Sequence, residues 1–154
     1  SLMGTYLKEF EQEDFVGSGI YDCAGLHGTT CGTPMPKWRH KLRAVWGTPW
    51  RGLELGATWR YIKGTKLDQT SDNPLLAGDF EPADEKLGAR SYLDLVANYR
   101  FNEHFTFRAG MNNALDKDPP VSGVVAAVFG NGNTYPQVYD TLGRHIFLNV
   151  TAKF

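Results

Sequence analysis

The amino-acid sequence predicts an all-β fold of about six antiparallel strands that form part of a transmembrane β-barrel, with short periplasmic turns and long extracellular loops. Three observations support this prediction: apolar and polar residues alternate with a period of two, aromatic residues reach 13% beside 17 glycines, and short and long connections alternate. Alternation places apolar side chains on one face of a strand. Short turns at one end of the strands and long loops at the other are typical of outer-membrane barrels, whereas long structureless loops are uncommon in compact soluble domains.

The strands are predicted in chain order from this alternation. The first covers residues 5–15 and alternates poorly. The five that alternate clearly are 37–46, 52–61, 91–101, 105–111 and 145–154. The connections are short at 47–50 and 102–103 and long at 16–36, 63–90 and 114–143. The short connections predict two tight hairpins, and both chain ends are expected on the periplasmic side.

Each strand of a barrel wall presents one face to lipid and the other to the lumen. The side chains expected to meet lipid are Trp38, Leu42, Leu53, Leu55, Leu93, Leu95, Phe105, Phe107, Leu148 and Val150. The side chains expected to face a polar lumen are Arg39, Lys41, Arg43, Glu54, Arg60, Asp94, Asn98, Arg100 and Arg108. A soluble β-sandwich core would produce the same alternation, and the asymmetry of loop lengths is what favours the barrel.

Composition excludes several other classes of protein. The net charge of −1 does not suggest a nucleic-acid partner. The longest apolar run, Val124 to Phe129, is far shorter than the roughly 20 residues of a membrane helix. The serines lie in no GxSxG motif and no other catalytic constellation is visible, so no enzyme and no cofactor are expected. The amino terminus has no leader-like segment, so an export signal is expected outside these residues.

Two cysteines, Cys23 and Cys31, lie in one Gly- and Thr-rich segment. In an oxidising compartment they would close a small disulfide loop, which we favour. The alternative is a zinc site with His27, but it lacks four ligands and the tight CxxC spacing. The remaining histidines are scattered, so no metal site is expected.

Two acidic segments are open to a functional and a structural interpretation. Asp116, Lys117 and Asp118 precede two prolines and are expected to be turn chemistry that ends a strand. The acidic residues between Asp68 and Glu85 lack the ligand spacing of an EF-hand, so we expect a solvated loop and no Ca²⁺ site.

Two ordered motifs lie in the last long connection: Asn112 to Pro120 reads NNALDKDPP, and Asn133 to Arg144 reads NTYPQVYDTLGR. The first resembles the Asn-Leu-Phe-Asp-Lys-x-Pro-Pro type segment of TonB-dependent outer-membrane receptors, and the second resembles the lead into their last strand. The likeness extends upstream through Tyr21-Asp22-Cys23 and Pro36-Lys37-Trp38. Phe154 is similar to the terminal residue read by the barrel assembly machinery, although Ala152 stands where an aromatic residue is common.

This resemblance implies that residues 1–154 are the carboxy-terminal segment of a receptor barrel without its plug domain. The intact receptor would take up a scarce ligand such as a siderophore, a vitamin or a carbohydrate, and the segment would not transport alone. Implied partners are outer-membrane lipid, the rest of the barrel and plug, TonB through the plug, and the assembly machinery. The isolated chain is expected to self-associate through open strand edges. The alternative is a self-contained soluble β-barrel or sandwich that binds a small apolar ligand.

Overall fold

A computed structural model describes residues 1–123 and 132–154. The predicted apolar run Val124 to Phe129 and part of the last long connection lie outside the described residues. Within them the chain is almost entirely β-strand and turn, with two short 3₁₀ helices at Asp68–Thr70 and Pro82–Asp84. None of the described helices has the length and apolar character needed to span a bilayer.

Six strands form the main sheet in the order of the chain. They are β1 (Leu2–Tyr6), β5 (Trp38–Gly47), β6 (Leu53–Ile62), β9 (Arg90–Arg100), β10 (Phe105–Asn112) and β11 (His145–Ala152). Every neighbouring pair is antiparallel, so the sheet is a simple meander. In the described residues it does not close, and β1 and β11 form its two edges. The all-β prediction with six antiparallel strands is confirmed.

The predicted first strand over residues 5–15 was misplaced. β1 begins at Leu2 and ends at Tyr6, where it pairs with the start of β5 at Trp38. One more backbone hydrogen bond follows, from the Leu7 N–H to the Lys37 carbonyl at 3.0 Å. A separate two-residue strand, β2 (Glu11–Gln12), pairs instead with β3 (Tyr21–Asp22).

The two tight hairpins are confirmed. Residues 48–52 join β5 to β6, and residues 101–104 join β9 to β10. Gly52 has φ +84°, and a Cβ there would collide with the carbonyl oxygen of Arg100, so the first hairpin requires glycine at this position. Both hairpins and both chain ends lie at the same end of the strands, called here the short-turn end.

The opposite end, called here the long-loop end, is folded and not structureless. Besides β2 and β3 it contains β4 (Leu26–His27), β7 (Thr65–Leu67) and β8 (Lys86–Leu87), which form a three-stranded sheet in the order β4-β7-β8. Two apolar clusters fill this end. One contains Tyr21, Cys23, Cys31 and Leu76, and the other contains Leu87, Tyr135 and Tyr139.

The main sheet, by contrast, has almost no apolar core of its own. Of the buried hydrophobic residues described, only Tyr92 belongs to it. Its apolar side chains remain accessible: Leu42 is 39% exposed, Leu95 42% and Leu148 73%. An exposed apolar face of this extent is abnormal for a soluble monomer.

Candidate functional site: the polar wall and the loop cluster above it

The strand registers decide which side chains share a face of the main sheet. Directly paired residues lie on the same side, and the pairs Lys41–Arg60, Arg60–Tyr92 and Asn98–Arg108 run across four strands. Followed along each strand, this face contains all nine side chains that were predicted to line a lumen. The ten side chains predicted to meet lipid all occupy the other face. We call the two sides the polar face and the apolar face.

The polar face is strongly basic. Over the described strands it presents two carboxylates, Glu54 and Asp94, beside seven cations, which are Arg39, Lys41, Arg43, Arg60, Arg90, Arg100 and Arg108. Glu54 accepts a hydrogen bond from the side-chain amide of Asn98 at 3.1 Å, and Asp94 forms an ion pair with Arg60. The remaining cations therefore give this face a positive potential.

Arg60 joins the polar face to the last long connection. Its guanidinium donates two hydrogen bonds to Asp94, at 2.7 and 2.9 Å, and a third to Asp140 at 2.9 Å. The guanidinium also lies 5.0 Å from the ring centre of buried Tyr92. A bidentate pair of this kind fixes orientation as well as supplying energy. Because Asp140 lies between β10 and β11, Arg60 anchors that connection to the sheet.

The NNALDKDPP motif is a tight turn that begins where β10 ends. Asn113 adopts φ +47° and its side chain accepts from the backbone N–H of Lys117 at 2.8 Å and donates back to the Lys117 carbonyl at 3.0 Å. Asp116 accepts from the backbone N–H of Arg144 at 2.8 Å. The expected turn chemistry is present, and it closes the last connection onto the start of β11.

A cavity of about 200 Å³ opens between the free cations of the polar face. It is lined by Lys41, Arg43 and Arg108 together with Asp94, Asn112 and Phe147. The guanidinium of Arg108 lies 5.8 Å from the ring centre of Phe147, which holds it over the sheet. Among the described residues none of these three cations has a carboxylate within salt-bridge distance. The arrangement is suited to an anionic ligand or an anionic protein surface.

Cys23 and Cys31 form a disulfide, with Cα atoms 5.5 Å apart. Both residues are buried at the centre of the first loop cluster. Asp68 secures the same loop by accepting from the backbone N–H groups of Thr30 at 2.8 Å and Cys31 at 3.0 Å. The favoured disulfide is thus confirmed, and the alternative zinc site with these thiols is wrong.

The prediction that the whole acidic segment is solvated was wrong for two of its members. Asp68 is fully buried and Asp84 is 7% exposed. Asp84 accepts from the backbone N–H of Gly123 at 2.6 Å, so the two carboxylates tie separate long connections together. Charge spacing alone contains no information about these long-range backbone partners. In the described residues no group of three or more His, Cys, Asp or Glu side chains is arranged to hold a metal ion.

His27 lies fully buried between the two loop clusters. Its Nδ1 is 3.0 Å from the hydroxyl of Thr65, and its ring meets that of Tyr135 edge-on at 6.2 Å. Burial lowers the pKa of His27, opposed in part by the nearby Asp68 carboxylate. Burial also raises the pKa of Tyr135 and of Tyr139 to about 12, which keeps both phenols neutral.

Phe154 lies beyond the end of β11 and is fully exposed. Its predicted role in barrel assembly stays a prediction. Asp140 and Tyr92 were not predicted as parts of the site, and His27 was considered only as a possible zinc ligand. Of these, only Asp140 had a local indication, because it lies inside the NTYPQVYDTLGR motif.

Residues 5–114 match the family described as TonB dependent receptor-like, beta-barrel. No curated protein sequence matches the chain. Among solved structures, a variant of the ferric enterobactin receptor PfeA from Pseudomonas aeruginosa, in complex with enterobactin, superposes with a TM-score of 0.56 at 23% identity. That superposition covers 77% of this chain and 17% of PfeA.

Two further structures share the fold at lower identity. The ferric-catecholate import receptor Fiu from E. coli K12 gives a TM-score of 0.51 at 16% identity, covering 77% of this chain and 15% of Fiu. The copper transporter OprC gives 0.51 at 17% identity, covering 79% and 18%. The chain therefore spans less than a fifth of each of these structures.

Proposed function

Because the chain belongs to the family of TonB-dependent receptor-like β-barrels, we propose that it forms a wall segment of an outer-membrane receptor for energised uptake of a scarce ligand. Proteins of this family are β-barrels of the Gram-negative outer membrane, and they are transporters. The chain is accordingly part of an outer-membrane protein. By itself it would not transport, since the sheet of the described residues encloses no lumen.

One observation supports this proposal above the others: the main sheet has an exposed apolar face and a basic polar face, and the described residues form almost no apolar core against either. A sheet of this kind is stable where lipid covers one face and a polar lumen lies against the other. The alternative soluble barrel or sandwich would need a second apolar layer or a closed sheet. In the described residues the sheet has neither.

The orientation follows from loop length. The short-turn end would face the periplasm and the long-loop end the cell surface, as in other outer-membrane barrels. The nine residues of the predicted lumen set would then line the lumen, where a plug domain and, through it, TonB would be partners. β1 and β11 would pair with other strands of the barrel, and Phe154 would be read by the assembly machinery.

Among siderophores, vitamins and carbohydrates, the basic polar face favours an anionic ligand. PfeA and Fiu are named for ferric enterobactin and ferric catecholates and OprC for copper. The cations around the 200 Å³ cavity would attract an anionic metal chelate as it passes along this wall. We therefore propose an anionic metal complex as the ligand class.

The first experiment is light scattering combined with circular dichroism on the purified chain, in buffer and then in detergent. We expect β structure in both, with oligomers in buffer and monomers only in detergent, because detergent covers the apolar face and the open edges. A chain that is monomeric and rich in β structure in buffer, with no change on adding detergent, would contradict the proposal.

A matched pair of variants tests the lipid contact directly. Leu148 lies on the apolar face and its neighbour Asn149 on the polar face of β11, and both are exposed. In lipid vesicles we expect Leu148→Arg to lower the free energy of unfolding by about 2–4 kcal/mol, and Asn149→Arg to have little effect. Equal effects of the two variants would mean that the apolar face does not meet lipid.

A further inference from the structure

The hairpin of β6 and β9 continues beyond the main sheet into β7 and β8 without a change of register. Ile62 pairs with Arg90, and the same register then pairs Thr65 with Leu87 and Lys66 with Lys86. What changes is the direction of the side chains. Ile62, a residue of the polar face, packs against the apolar cluster that contains Leu87, Tyr135 and Tyr139, although strict alternation along the register would put Leu87 on the apolar face.

This change occurs where Gly64 lies against the backbone of residues 87–89, so close that a Cβ on Gly64 would be 2.5 Å from the Leu87 carbonyl oxygen. Beyond it, Thr65 and Leu87 point inward to the loop clusters. Lys66 and Lys86, which alternate with them, therefore point outward, on the same side as the apolar face below. The hairpin thus turns two lysines toward the outside of the wall.

Lys66 and Lys86 face each other directly across the two strands, and both are exposed. Lys63, also exposed, lies three residues below on the same outer side, and its backbone N–H donates to the Trp38 carbonyl at 2.9 Å. We call these three residues the lysine patch. Like charges opposite each other on neighbouring strands are unfavourable. In the described part of the chain no carboxylate lies within 4.0 Å of any of the three.

An aromatic cluster lies immediately below the lysine patch on the apolar face. Trp38 donates from its indole N–H to Nδ1 of His40 at 2.9 Å, and the His40 ring packs edge-on against Trp59 and stacks on Tyr61. Trp59 donates to the hydroxyl of Ser91. Half-exposed rings with a polar edge prefer the boundary between hydrocarbon and headgroups. The lysines just beyond this boundary would lie at headgroup depth.

We propose that the lysine patch binds the phosphate groups of lipids in the outer leaflet. The inference rests on the proposed function, because it requires the apolar face to be embedded in the membrane with the long-loop end outward. Charge complementarity selects the occupant: three uncompensated ammonium groups above an aromatic boundary match an anionic phosphate headgroup. Neutral lipid would contact the rings below without this preference.

The test is quenching of tryptophan fluorescence by lipids with brominated chains, with the chain refolded in neutral detergent. The background carries Trp46→Phe and Trp50→Phe, so that the signal comes from Trp38 and Trp59 beside the patch. Brominated phosphatidic acid and brominated phosphatidylcholine are titrated separately. The test variant is Lys66→Gln with Lys86→Gln, and the matched control removes two cations from the short-turn end, Arg51→Gln with Lys153→Gln.

We expect phosphatidic acid to quench at lower concentration than phosphatidylcholine, and the test variant to lose about fivefold in apparent affinity for each lysine removed. The control variant should keep the preference, and added salt should weaken it. Equal titrations with the two lipids, or an unchanged preference in the test variant, would overturn the lysine patch while leaving the barrel proposal intact. Failure of both lipids to quench would instead contradict the membrane contact of the apolar face.

Discussion

Replacing Arg60 with glutamine should destabilise the chain and release its last long connection from the sheet. The substitution removes the guanidinium that donates to Asp94 at 2.7 and 2.9 Å and to Asp140 at 2.9 Å. It leaves two carboxylates that are only 19% and 11% exposed without their cation. Breaking a fully buried ion pair costs about 3–5 kcal/mol. Because the Arg60 side chain is 31% exposed, solvent moderates the loss, and we expect about 2–3 kcal/mol.

The assay is urea unfolding in detergent micelles, with the free energy obtained by linear extrapolation. The matched control is Arg100→Gln, which removes a cation from the same face where no described carboxylate is its partner. An exposed substitution of that kind should change the free energy of unfolding by less than about 0.5 kcal/mol. Equal losses in the two variants would refute the proposed role of Arg60.

A double-mutant cycle separates the anchor from a general loss of stability. Arg60→Gln and Asp140→Asn should be non-additive by about 1 kcal/mol, because the second substitution has no ion pair left to break. Trypsin cleavage after Arg144, next to the anchored connection, should accelerate in either single variant. Additive free energies together with unchanged cleavage would show that Asp140 is not held by Arg60.

Three further predictions concern the loop clusters and the basic wall. Replacing Cys23 and Cys31 with alanine should lower the stability of the long-loop end by about 2.5 kcal/mol, the entropy expected for so short a loop; protease resistance of residues 7–37 should fall while the circular dichroism of the main sheet is unchanged. Since burial depresses the pKa of His27, its contribution to stability should be complete above about pH 6.5 and lost as pH falls through the lowered pKa. Urea unfolding of the parent should therefore give a lower free energy of unfolding at pH 5.5 than at pH 7.5. The variant His27→Gln should reduce this difference, whereas the control His104→Gln, in an exposed turn, should not. Replacing Lys41 and Arg43 with glutamine should weaken the binding of ferric tris-catecholate, measured by equilibrium dialysis, by roughly tenfold. This corresponds to about 0.7 kcal/mol for each charge in a partly solvated site. The control Arg51→Gln with Lys153→Gln should leave the affinity unchanged.

Period-two alternation was sufficient to predict five of the six strands of the main sheet. Leu93, Leu95 and Ala97 alternate with Asp94 and Val96, and the register keeps these two sets on opposite faces. Local patterns work here because the described loops cover the sheet only near Arg60 and Tyr92, at the long-loop end of the polar face. The first strand escaped prediction because its end is decided by where β5 begins, which is a tertiary contact.

The long-loop end resisted prediction for a different physical reason. Asp68 and Asp84 have the charge of surface residues, and their burial is made tolerable by backbone N–H groups of which most lie 37 or more residues away. The Arg60–Asp140 ion pair spans 80 residues of sequence. Contacts between residues so far apart in sequence produce no periodic pattern, so they can be identified only in the folded chain.

The two ends of the molecule are stabilised in different ways. At the long-loop end, the disulfide, Asp68 and the two apolar clusters build a conventional core with buried side chains. The main sheet has no such core among the described residues, so in the proposed barrel its apolar face would depend on lipid. Two features link the loop core to the main sheet. One is Arg60, and the other is the long hairpin in which β6 continues into β7 and β8 continues into β9. Because the hairpin continues in register while its side chains change sides at Gly64, one pair of strands would contact lipid in the proposed barrel and the loop core above it. In the proposed barrel, Gly64 would therefore mark the point where the strands leave the membrane and enter the loop core.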